Sequence, residues 1–271
     1  MRHPKLSIVS VTLNCSAVVE KTLTSIQQQN YDNIEFLVID GKSADGTIEI
    51  IKRYAELISF FSSESDKGLY DAMNKGLQRA TGDYVLFLNA GDVFCSATVL
   101  SELASKMIDP ETCYFGKVRI NSRFGNWLVP EYSGPKISDG GFLPHHQSIF
   151  YCQNYYKNNS YDLNFKVHAD VDYTTRASRS QKLQHIPVIM VDSVIGGFGT
   201  MLFRSFEKTK KLNREMIAIN TKHHGATNRF QAAKITTSSM IKYSICKIFG
   251  DDYLHQLYRF AGKVKFRKFK D

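Results

Sequence analysis

The chain has 271 residues, of which 43% are hydrophobic and 23% are charged, a composition typical of a folded domain rather than a disordered one. Five widely spaced cysteines with no Cys-x-x-Cys pair argue against a disulfide framework and a structural zinc site. The net charge of +9 lies at the C-terminal end, because residues 204–271 carry 16 Lys/Arg against 5 Asp/Glu. A basic segment of this kind predicts a negatively charged partner, either anionic lipid or nucleic acid.

Neither end of the sequence predicts secretion or membrane insertion. The start, MRHPKLSIVSVTLN, has too short an apolar stretch for a signal peptide. No run approaches the roughly 20 apolar residues of a membrane span. Together with the cysteine usage, this favours the cytoplasm as the compartment.

Strand-like and helix-like segments alternate through the first hundred residues. The strand-like segments are near-continuous apolar runs: LSIVSVTLN, IEFLVID, ISFFSSE and YVLFLNA. The helical segments between them are VVEKTLTSIQQQ, with Ser16 as its predicted N-cap, TIEIIKRYAELI and GLYDAMNKGLQRAT. Buried strands alternating with helices predict an α/β fold with a mostly parallel sheet covered by helices on both faces.

The rest of the chain is less regular. Between Cys113 and Gly199 the strand candidates are YFGKVRI, SIFY and PVIMV. We predict one domain over residues 1–203, with halves at 1–112 and 113–203, followed by a basic helical extension over residues 204–271.

Polar residues follow each predicted strand of the first half. They are Asn14, Asp40, Ser63 to Asp66, and Asn89 to Asp92. Because ligands bind at the carboxyl ends of strands in such sheets, these residues predict a ligand site. The loop after the first strand is TLNCSA, so neither a Gly-x-Gly-x-x-Gly motif nor a Walker phosphate loop is present.

The chemistry of these residues suits a nucleotide. Asp40 can accept hydrogen bonds from a base or from ribose hydroxyls. Asp45, in the turn before the next helix, is instead predicted to cap that helix. Asp66, Lys67 and Gly68 precede a helix whose free N–H groups, together with the lysine, suit a diphosphate. Alternatively, Asp66 is simply the N-cap of that helix.

Asn89 and Asp92 follow the fourth strand in LNAGD. Two oxygen ligands this close, completed by diphosphate oxygens and water, suit a hard divalent cation such as Mg²⁺ or Mn²⁺. Such a cation neutralises charge on a nucleoside diphosphate leaving group. The alternative is a polar turn at the end of a strand.

The order VTLN, VIDGKSADGT, SESDKGLYDAMNKGLQRATGDYVLFLNAGD resembles the inverting family-2 glycosyltransferases of the bacterial surface-polysaccharide type, which have the GT-A fold. The resemblance is dense over the first hundred residues and thinner up to about Gly199. It implies that Asp40 contacts the nucleobase, commonly uracil, and that further residues line the nucleotide: Thr12, Asn14, Asp66 and Lys67. The family's metal motif is usually Asp-x-Asp, whereas here Asn89 and Gly91 leave Asp92 as its one carboxylate.

The segment NFKVHADVDYTTRA resembles the family's Glu-Asp pair followed by a helix that ends in arginine. Asp170 takes the place of the general base, and Ala169 replaces the glutamate. Inversion by direct displacement needs one carboxylate that removes the proton of the acceptor hydroxyl, with Asp172 as the fallback. Either acid could instead serve only the helix N-terminus, and Arg176 either pairs within this helix or reaches a phosphate.

The segment PHHQSIF matches a family segment that lines the acceptor side. This resemblance implies that His146 and Gln147 contact the acceptor or a donor phosphate. A structural role for the two histidines is equally open.

The basic extension has apolar residues at helical spacing, including Ile241, Ile245 and Ile248, interleaved with lysines and arginines. This pattern fits a helix on an anionic bilayer, which would place the protein peripherally on the inner face of the cell membrane. The alternative is a helical cap packed on the domain. Nucleic acid is not an expected partner, because no recognition motif accompanies the charge.

These observations predict an inverting hexosyltransferase that moves a sugar from a nucleotide donor, UDP-linked by the family's habit, to a hydroxyl of a saccharide acceptor. A lipid-linked acceptor would suit a membrane-facing extension. One alternative is a catalytically silent sugar-nucleotide-binding protein, since the metal motif and the Glu-Asp pair are both reduced. Another is a sugar-phosphate nucleotidyltransferase, which would normally carry a glycine-rich, basic loop where this chain has TLNCSA.

Overall fold

The computed structural model describes residues 3–122, 125–128, 143–194, 205–225 and 229–249, which form a sheet packed with helices. The strands described are β1 (Leu6–Thr12), β2 (Ile34–Asp40), β3 (Phe60–Ser63), β4 (Tyr84–Phe87), β5 (Val93–Phe94), β6 (Cys113–Ser122), β7 (Gly125–Leu128), β8 (Ile149–Cys152) and β9 (Leu183–Val194). The helices described are α1 (Val19–Gln27), α2 (Thr47–Lys52), α3 (Leu69–Arg79), α4 (Val99–Ala104), α5 (Gln153–Tyr156), α6 (Ala169–Ser180), α7 (Phe206–His224) and α8 (Arg229–Phe249).

The strand order in the sheet is β3-β2-β1-β4-β8-β6-β9-β5, with β7 paired to β6. The first four strands are parallel, as the alternating apolar runs predict. In the second half, β8 runs antiparallel to both β4 and β6, while β9 runs parallel to β6. The predicted α/β fold with a mostly parallel sheet is therefore confirmed, with the antiparallel pairings concentrated in its second half.

The reversed direction of β8 decides where its preceding turn lies. Tyr84 of β4 pairs with Cys152 of β8, and Val85 pairs with Tyr151, so β8 starts beside the end of β4. The one-turn helix His146–Ser148, which leads into β8, therefore lies at the carboxyl end of the parallel strands. This is the edge at which ligands bind in such sheets.

Helix α3 packs closely on the central strand. Each of the seven residues of β1 is buried, as expected for a strand that is covered on both faces. A Cβ atom at Gly76 would lie 2.5 Å from Cγ1 of Val9, so a larger residue there would push α3 away from β1. Because α3 follows β3 in a parallel sheet, its N-terminus lies at the carboxyl ends of the strands.

A tyrosine cluster joins α3 to the second half of the chain. The rings of Tyr161 and Tyr173 stack with their centroids 4.2 Å apart, and the Tyr70 ring lies 5.4 Å from that of Tyr161. Tyr151 and Tyr155 meet Tyr173 edge to face at 4.9 and 5.0 Å. All five side chains are buried, so α3, β8, α5 and α6 share one aromatic core.

Two predicted helix starts differ from the structure. The N-cap of α1 is Val18 and not Ser16, whose backbone N–H donates instead to Oδ2 of Asp45 at 3.0 Å. Asp45 accepts the Thr47 N–H at 3.1 Å, as a capping side chain does, although the N-cap position of α2 belongs to Gly46. Ser16 of the β1–α1 loop therefore donates to the loop between β2 and α2. Local sequence cannot reveal such a long-range contact.

Helix α7 packs on the domain, although the sequence placed it in the basic extension. Lys222 of α7 lies 2.8 Å from Asp172 of α6, and Phe206 of α7 meets Tyr243 of α8 with ring centroids 5.9 Å apart. The alternative of a packed helical cap is thus the observed one for α7. The domain boundary at residue 203 stays a prediction. Residues 195–204 and 250–271 lie outside the described residues, and no described helix is long and apolar enough to cross a bilayer.

A buried acid joins β1, β2 and the loop after α3 at the edge of the sheet opposite the candidate ligand site. Glu35, at the start of β2, accepts hydrogen bonds from Ser7 Oγ at 2.6 Å and from the Thr81 N–H at 2.7 Å. Lys5 Nζ lies 3.0 Å from its other oxygen. Burial raises the pKa of Glu35, but these hydrogen bonds outweigh it and lower the pKa to about 2.

Replacing Glu35 by Gln leaves these donors facing an amide, so we expect the free energy of unfolding at pH 7 to fall by about 1–3 kcal/mol. Because the folded-state pKa lies below the ordinary value of 4.5, the stabilisation is present above that value and is lost as the pH falls towards 2. The difference in stability between wild type and variant should therefore narrow from pH 7 to pH 3 in urea unfolding. A constant difference would contradict this. The control is Glu49→Gln, at an exposed position on α2.

Candidate active site

Asp40 holds three loops together at the carboxyl ends of β1, β2 and β3. Its Oδ1 accepts from Thr12 Oγ1 at 2.9 Å and from Ser43 Oγ at 2.6 Å. Its Oδ2 accepts from the Ser43 N–H at 2.8 Å and from Ser63 Oγ at 2.7 Å. Burial raises the pKa of Asp40, and these four hydrogen bonds lower it below the ordinary value. A direct contact with a nucleobase requires one of these hydroxyls to turn away, and that contact stays a prediction.

Asn14 joins the loop after β1 to the loop after β2. Its backbone adopts a left-handed conformation with φ of 47°, which asparagine tolerates better than most residues. Its N–H donates to Ser43 Oγ at 2.8 Å, and its Oδ1 accepts from the Ala44 N–H at 2.9 Å. The two loops that the sequence assigned to the nucleotide therefore form one connected wall.

Asp66 and Lys67 complete this wall from the loop after β3. Asp66 Oδ1 accepts from the Gly68 N–H at 2.8 Å, and its Oδ2 lies where a Cβ at Gly41 would come within 2.6 Å. The N-cap of α3 is Gly68 and not Asp66. The exposed Lys67 ammonium makes no ion pair with the residues that the structure describes, so it is available to an anionic ligand at the start of α3.

A tight turn between Asn89 and Asp92 follows β4. The Asp92 N–H donates to the Asn89 carbonyl at 3.0 Å. Thr22 of α1 supports the turn, because its hydroxyl donates to the Asp92 carbonyl at 2.8 Å and accepts from the Gly91 N–H at 2.9 Å. The amide oxygen of Asn89 is buried and has no hydrogen-bond partner among the described residues.

The carboxylate of Asp92 is buried and only partly compensated. Gln147 Nε2 donates to its Oδ2. Burial raises the pKa of Asp92 to about 6, although a hydrogen bond from Ser193 and the charge of His146 both oppose the rise. In the described ranges, no group of three or more His, Cys, Asp or Glu side chains is arranged to hold a metal ion. Asp92 and Asn89 therefore offer two protein oxygens and need further ligands from elsewhere.

Asp170, the second residue of α6, faces two partners. His146 Nδ1 lies 3.0 Å from its Oδ2, and Tyr70 donates its hydroxyl to Oδ1 at 2.9 Å. The side chains of Asp170 and His146 are each 21% exposed, so both reach the surface of the site. Burial raises the pKa of Asp170, but His146 and Tyr70 outweigh it and lower the pKa to about 2. For His146, burial alone would lower the pKa, but the contact with Asp170 outweighs burial and raises it above the ordinary value.

Two consecutive residues connect the two candidate acids. Gln147 donates to Asp92, and His146 contacts Asp170. The His145 ring stacks on the His146 ring with centroids 5.1 Å apart and supports it from behind. The structure therefore brings the predicted metal-binding acid and the predicted general base to the same short turn.

The structure also separates the alternatives for Asp172 and Arg176. Asp172 is fully buried, and its carboxylate contacts Arg176, Lys222 and His223 at 2.9, 2.8 and 2.8 Å. A carboxylate held by three cationic or donor groups is a poor general base. Arg176 also donates to Asn159 Oδ1 at 3.2 Å, so its contacts lie within the protein, as one of the two sequence interpretations predicted.

Two residues of the site escaped the sequence analysis. Tyr70 lies in the predicted helix GLYDAMNKGLQRAT, but nothing in its spacing indicates that its hydroxyl reaches Asp170. Glu215 lies in the basic extension and accepts hydrogen bonds from the backbone just before α6. Its one local signal is an isolated acid within a run of basic residues.

The sequence of this chain is similar to those of known glycosyltransferases. Residues 7–169, more than half of the chain, match the family described as Glycosyl transferase family 2. A PGL/p-HBAD biosynthesis glycosyltransferase of Mycobacterium bovis is 30% identical over 221 residues, which cover 77% of this chain and 84% of the relative. A GalNAc(5)-diNAcBac-PP-undecaprenol beta-1,3-glucosyltransferase of Campylobacter jejuni is 33% identical over 135 residues, 48% of this chain and 43% of that protein.

Solved structures share the fold. S. aureus TarS 1-349 in complex with UDP superposes with a TM-score of 0.63 at 17% identity, covering 94% of this chain and 78% of that one. This chain covers 43% of the length of a longer S. aureus TarS structure. The mannosyltransferase PcManGT from Pyrobaculum calidifontis, in complex with GDP-Man and Mn²⁺, superposes with a TM-score of 0.63 at 16% identity. The superposition covers 98% of this chain and 82% of that one. The chain belongs to glycosyl transferase family 2, and its α/β sheet is that of the GT-A glycosyltransferases.

Proposed function

We propose that this chain transfers a hexose from a UDP-linked donor to a hydroxyl of a saccharide acceptor with inversion, using Asp170 as the general base and a divalent cation at Asp92. One observation carries the proposal. The turn of His146 and Gln147 contacts both acids, so a donor bound at Asp92 lies next to the carboxylate that would activate the acceptor.

A nucleoside diphosphate suits the wall formed by the loops after β1, β2 and β3. Thr12, Asn14 and Asp40 would form its base and ribose side, and the exposed Lys67 ammonium at the start of α3 would meet the diphosphate. Uridine is the proposed nucleoside, because TarS was solved with UDP and with UDP-GlcNAc. His146 and Gln147 then line the space between donor and acceptor.

Asp170 suits the role of a general base in geometry and in charge. With a pKa near 2 it is ionised throughout the neutral range, and its side chain reaches the surface of the site. A carboxylate of so low a pKa is a weak base, so it would take the hydroxyl proton while the oxygen attacks the anomeric carbon and not before. His146 and Tyr70 hold the carboxylate in a single orientation for that step.

The residues at the end of β4 fit a divalent cation in one respect that the sequence could not show. The amide oxygen of Asn89 is buried without a partner among the described residues, and the Asp92 carboxylate lies at the same turn. Hard cations prefer such oxygen ligands and take the remainder from phosphate and water. A bound Mn²⁺ or Mg²⁺ would stabilise the negative charge of the departing nucleoside diphosphate.

A lipid-linked saccharide is the proposed acceptor, and an anionic membrane surface is the proposed location. The Campylobacter jejuni relative is named for a PP-undecaprenol substrate. On α8, Ile241 and Ile248 are 55% and 69% exposed and lie seven residues apart, on one face of the helix. The exposed Lys234 and Lys247 add positive charge to the same helix. The proposed membrane contact is limited to α8 and residues 250–271, because α7 packs on α6.

Replacing Asp170 by Asn removes the proposed base while preserving its size. We expect turnover to fall by roughly 10²–10⁴-fold, with the affinity for UDP unchanged, in assays of UDP release and calorimetric titration. The control is Asp32→Asn, whose side chain is 90% exposed. Normal turnover in the Asp170→Asn variant would remove Asp170 from the mechanism.

Calorimetric titration with UDP, GDP, ADP and CDP, each with and without Mn²⁺, tests the donor side. We expect UDP to bind most tightly of the four nucleotides, and to bind more tightly with Mn²⁺ than without it. Asp92→Ala should abolish the Mn²⁺ dependence, and Asn89→Ala should weaken it, because each removes one oxygen ligand. Asp32→Ala serves as the control.

If the Mn²⁺ dependence survives in Asp92→Ala, another ligand set holds the cation. If UDP binds but no sugar is transferred or hydrolysed, the chain is the catalytically silent binding protein. If no nucleoside diphosphate binds, the proposed function fails altogether.

The membrane proposal predicts co-flotation with vesicles that contain phosphatidylglycerol and not with vesicles of phosphatidylcholine alone. Replacing both Ile241 and Ile248 by Asp should weaken this binding by about tenfold or more, because the two apolar side chains that would insert into the membrane are lost. The control is Ile108→Asp, at a site that is 78% exposed and lies in the first half of the chain. Equal binding by all three proteins would rule out this face of α8.

A further inference from the structure

A carboxylate of α7 holds the backbone that leads into α6. Glu215 accepts hydrogen bonds from three consecutive N–H groups, those of Lys166, Val167 and His168, at 2.9, 2.9 and 3.2 Å. Its side chain is 9% exposed. The residues just before a helix have no intrahelical partners for such groups. Losing Glu215 would therefore leave three partly buried N–H groups without their acceptor, which is costly.

Tyr70 holds the same segment from the other side. Its hydroxyl lies 2.6 Å from the Val167 carbonyl and 2.9 Å from Asp170 Oδ1. The single hydroxyl hydrogen of Tyr70 is shared between these two oxygens, so the peptide groups flanking Val167 are held by Glu215 at the N–H and by Tyr70 at the carbonyl. Asp170 follows three residues later, in the first turn of α6, so its backbone position depends on this pair of contacts.

Helix α7 also holds α6 beyond Asp170. Lys222 and His223 each lie 2.8 Å from Asp172, the second residue after Asp170. Glu215 and Lys222 are seven residues apart, so they lie on one face of α7. This face contacts α6 before and after the proposed base, and it belongs to a helix outside residues 7–169 that match the family.

We infer that Glu215 is a positioning residue for the reaction: it acts through the backbone of residues 166–168 to set the place of the Asp170 carboxylate. The inference rests on the proposed role of Asp170 as the general base. Glu215 touches neither Asp170 nor the donor wall through the hydrogen bonds described, so its effect passes through the chain. A displacement of about 1 Å at a reacting group can cost roughly 100-fold in rate.

The test combines Glu215→Gln with Asp170→Asn in a double-mutant cycle. The amide of Gln keeps one acceptor oxygen but turns an N–H₂ group towards the backbone donors. In the intact enzyme we expect Glu215→Gln to lower kcat roughly 10- to 100-fold, with the donor KM and the affinity for UDP unchanged. In the Asp170→Asn background, the same substitution should lower the residual kcat no further, because its effect requires the carboxylate.

The assay is the release of UDP from UDP-GlcNAc or UDP-glucose, with water or a polyprenyl-diphosphate disaccharide as the acceptor. The matched control is Glu207→Gln, on the same helix with a side chain that is 80% exposed, and it should leave kcat unchanged. If Glu215→Gln does not fold, Glu215→Asp takes its place in the cycle. Its carboxylate is one methylene shorter and cannot reach the three N–H groups as Glu215 does, so the same non-additive loss is expected.

The outcomes separate this inference from the proposed function. Wild-type kcat in Asp170→Asn, or no UDP release by the wild type, overturns the proposed function. A low kcat in Asp170→Asn, together with an equal loss from Glu215→Gln in both backgrounds, leaves the base in place and overturns the positioning role. A wild-type kcat in the folded Glu215→Gln variant, or a raised donor KM without a change in kcat, also overturns it.

Discussion

The burial of carboxylates governs the architecture of this protein, because a buried anion is stable only where hydrogen bonds replace its water. Asp40 meets four donors and Glu215 three backbone N–H groups, so both act as fixed points for loops. Asp172 is held by three side chains in the same way. Asp92 and Asp170 receive fewer hydrogen bonds, and Asp170 keeps an exposed edge. The fully satisfied acids join loops and helices, whereas Asp92 and Asp170 are the two acids that we propose take part in the chemistry.

The direction of β8 gives the candidate site two sides. A further parallel strand would have placed its preceding loop at the far edge of the sheet, away from the ligand. Since β8 runs antiparallel to β4, the turn of His146 and Gln147 arrives at the carboxyl end, where it meets Asp92. The same turn contacts α6. One reversal of strand direction therefore joins the donor side to the acceptor side.

The sequence predicted the parallel half well, because buried parallel strands leave continuous apolar runs and their polar ends mark the ligand edge. The positions of Asp40, Asp92 and Asp170 followed from these patterns and from the family resemblance. The sequence could not predict which donors surround Asp40, or that Lys222 and His223 of α7 contact the buried carboxylate of Asp172. These facts depend on side chains far apart in the chain, for which neither periodicity nor propensity carries a signal. The same limit applies to Ser16, which donates to Asp45 instead of capping α1, and to Glu215, whose partners lie nearly 50 residues away in the chain.

Tyr70 contributes to two structures at once. Its ring belongs to the buried aromatic core with Tyr161, while its hydroxyl bonds to Asp170. It also stands three residues after Lys67, at the N-terminus of α3, where the diphosphate is proposed to bind. A shift of α3 on donor binding would therefore move the hydroxyl relative to the carboxylate and change how tightly Asp170 is held. The two sides of the candidate site are thus mechanically coupled through one side chain.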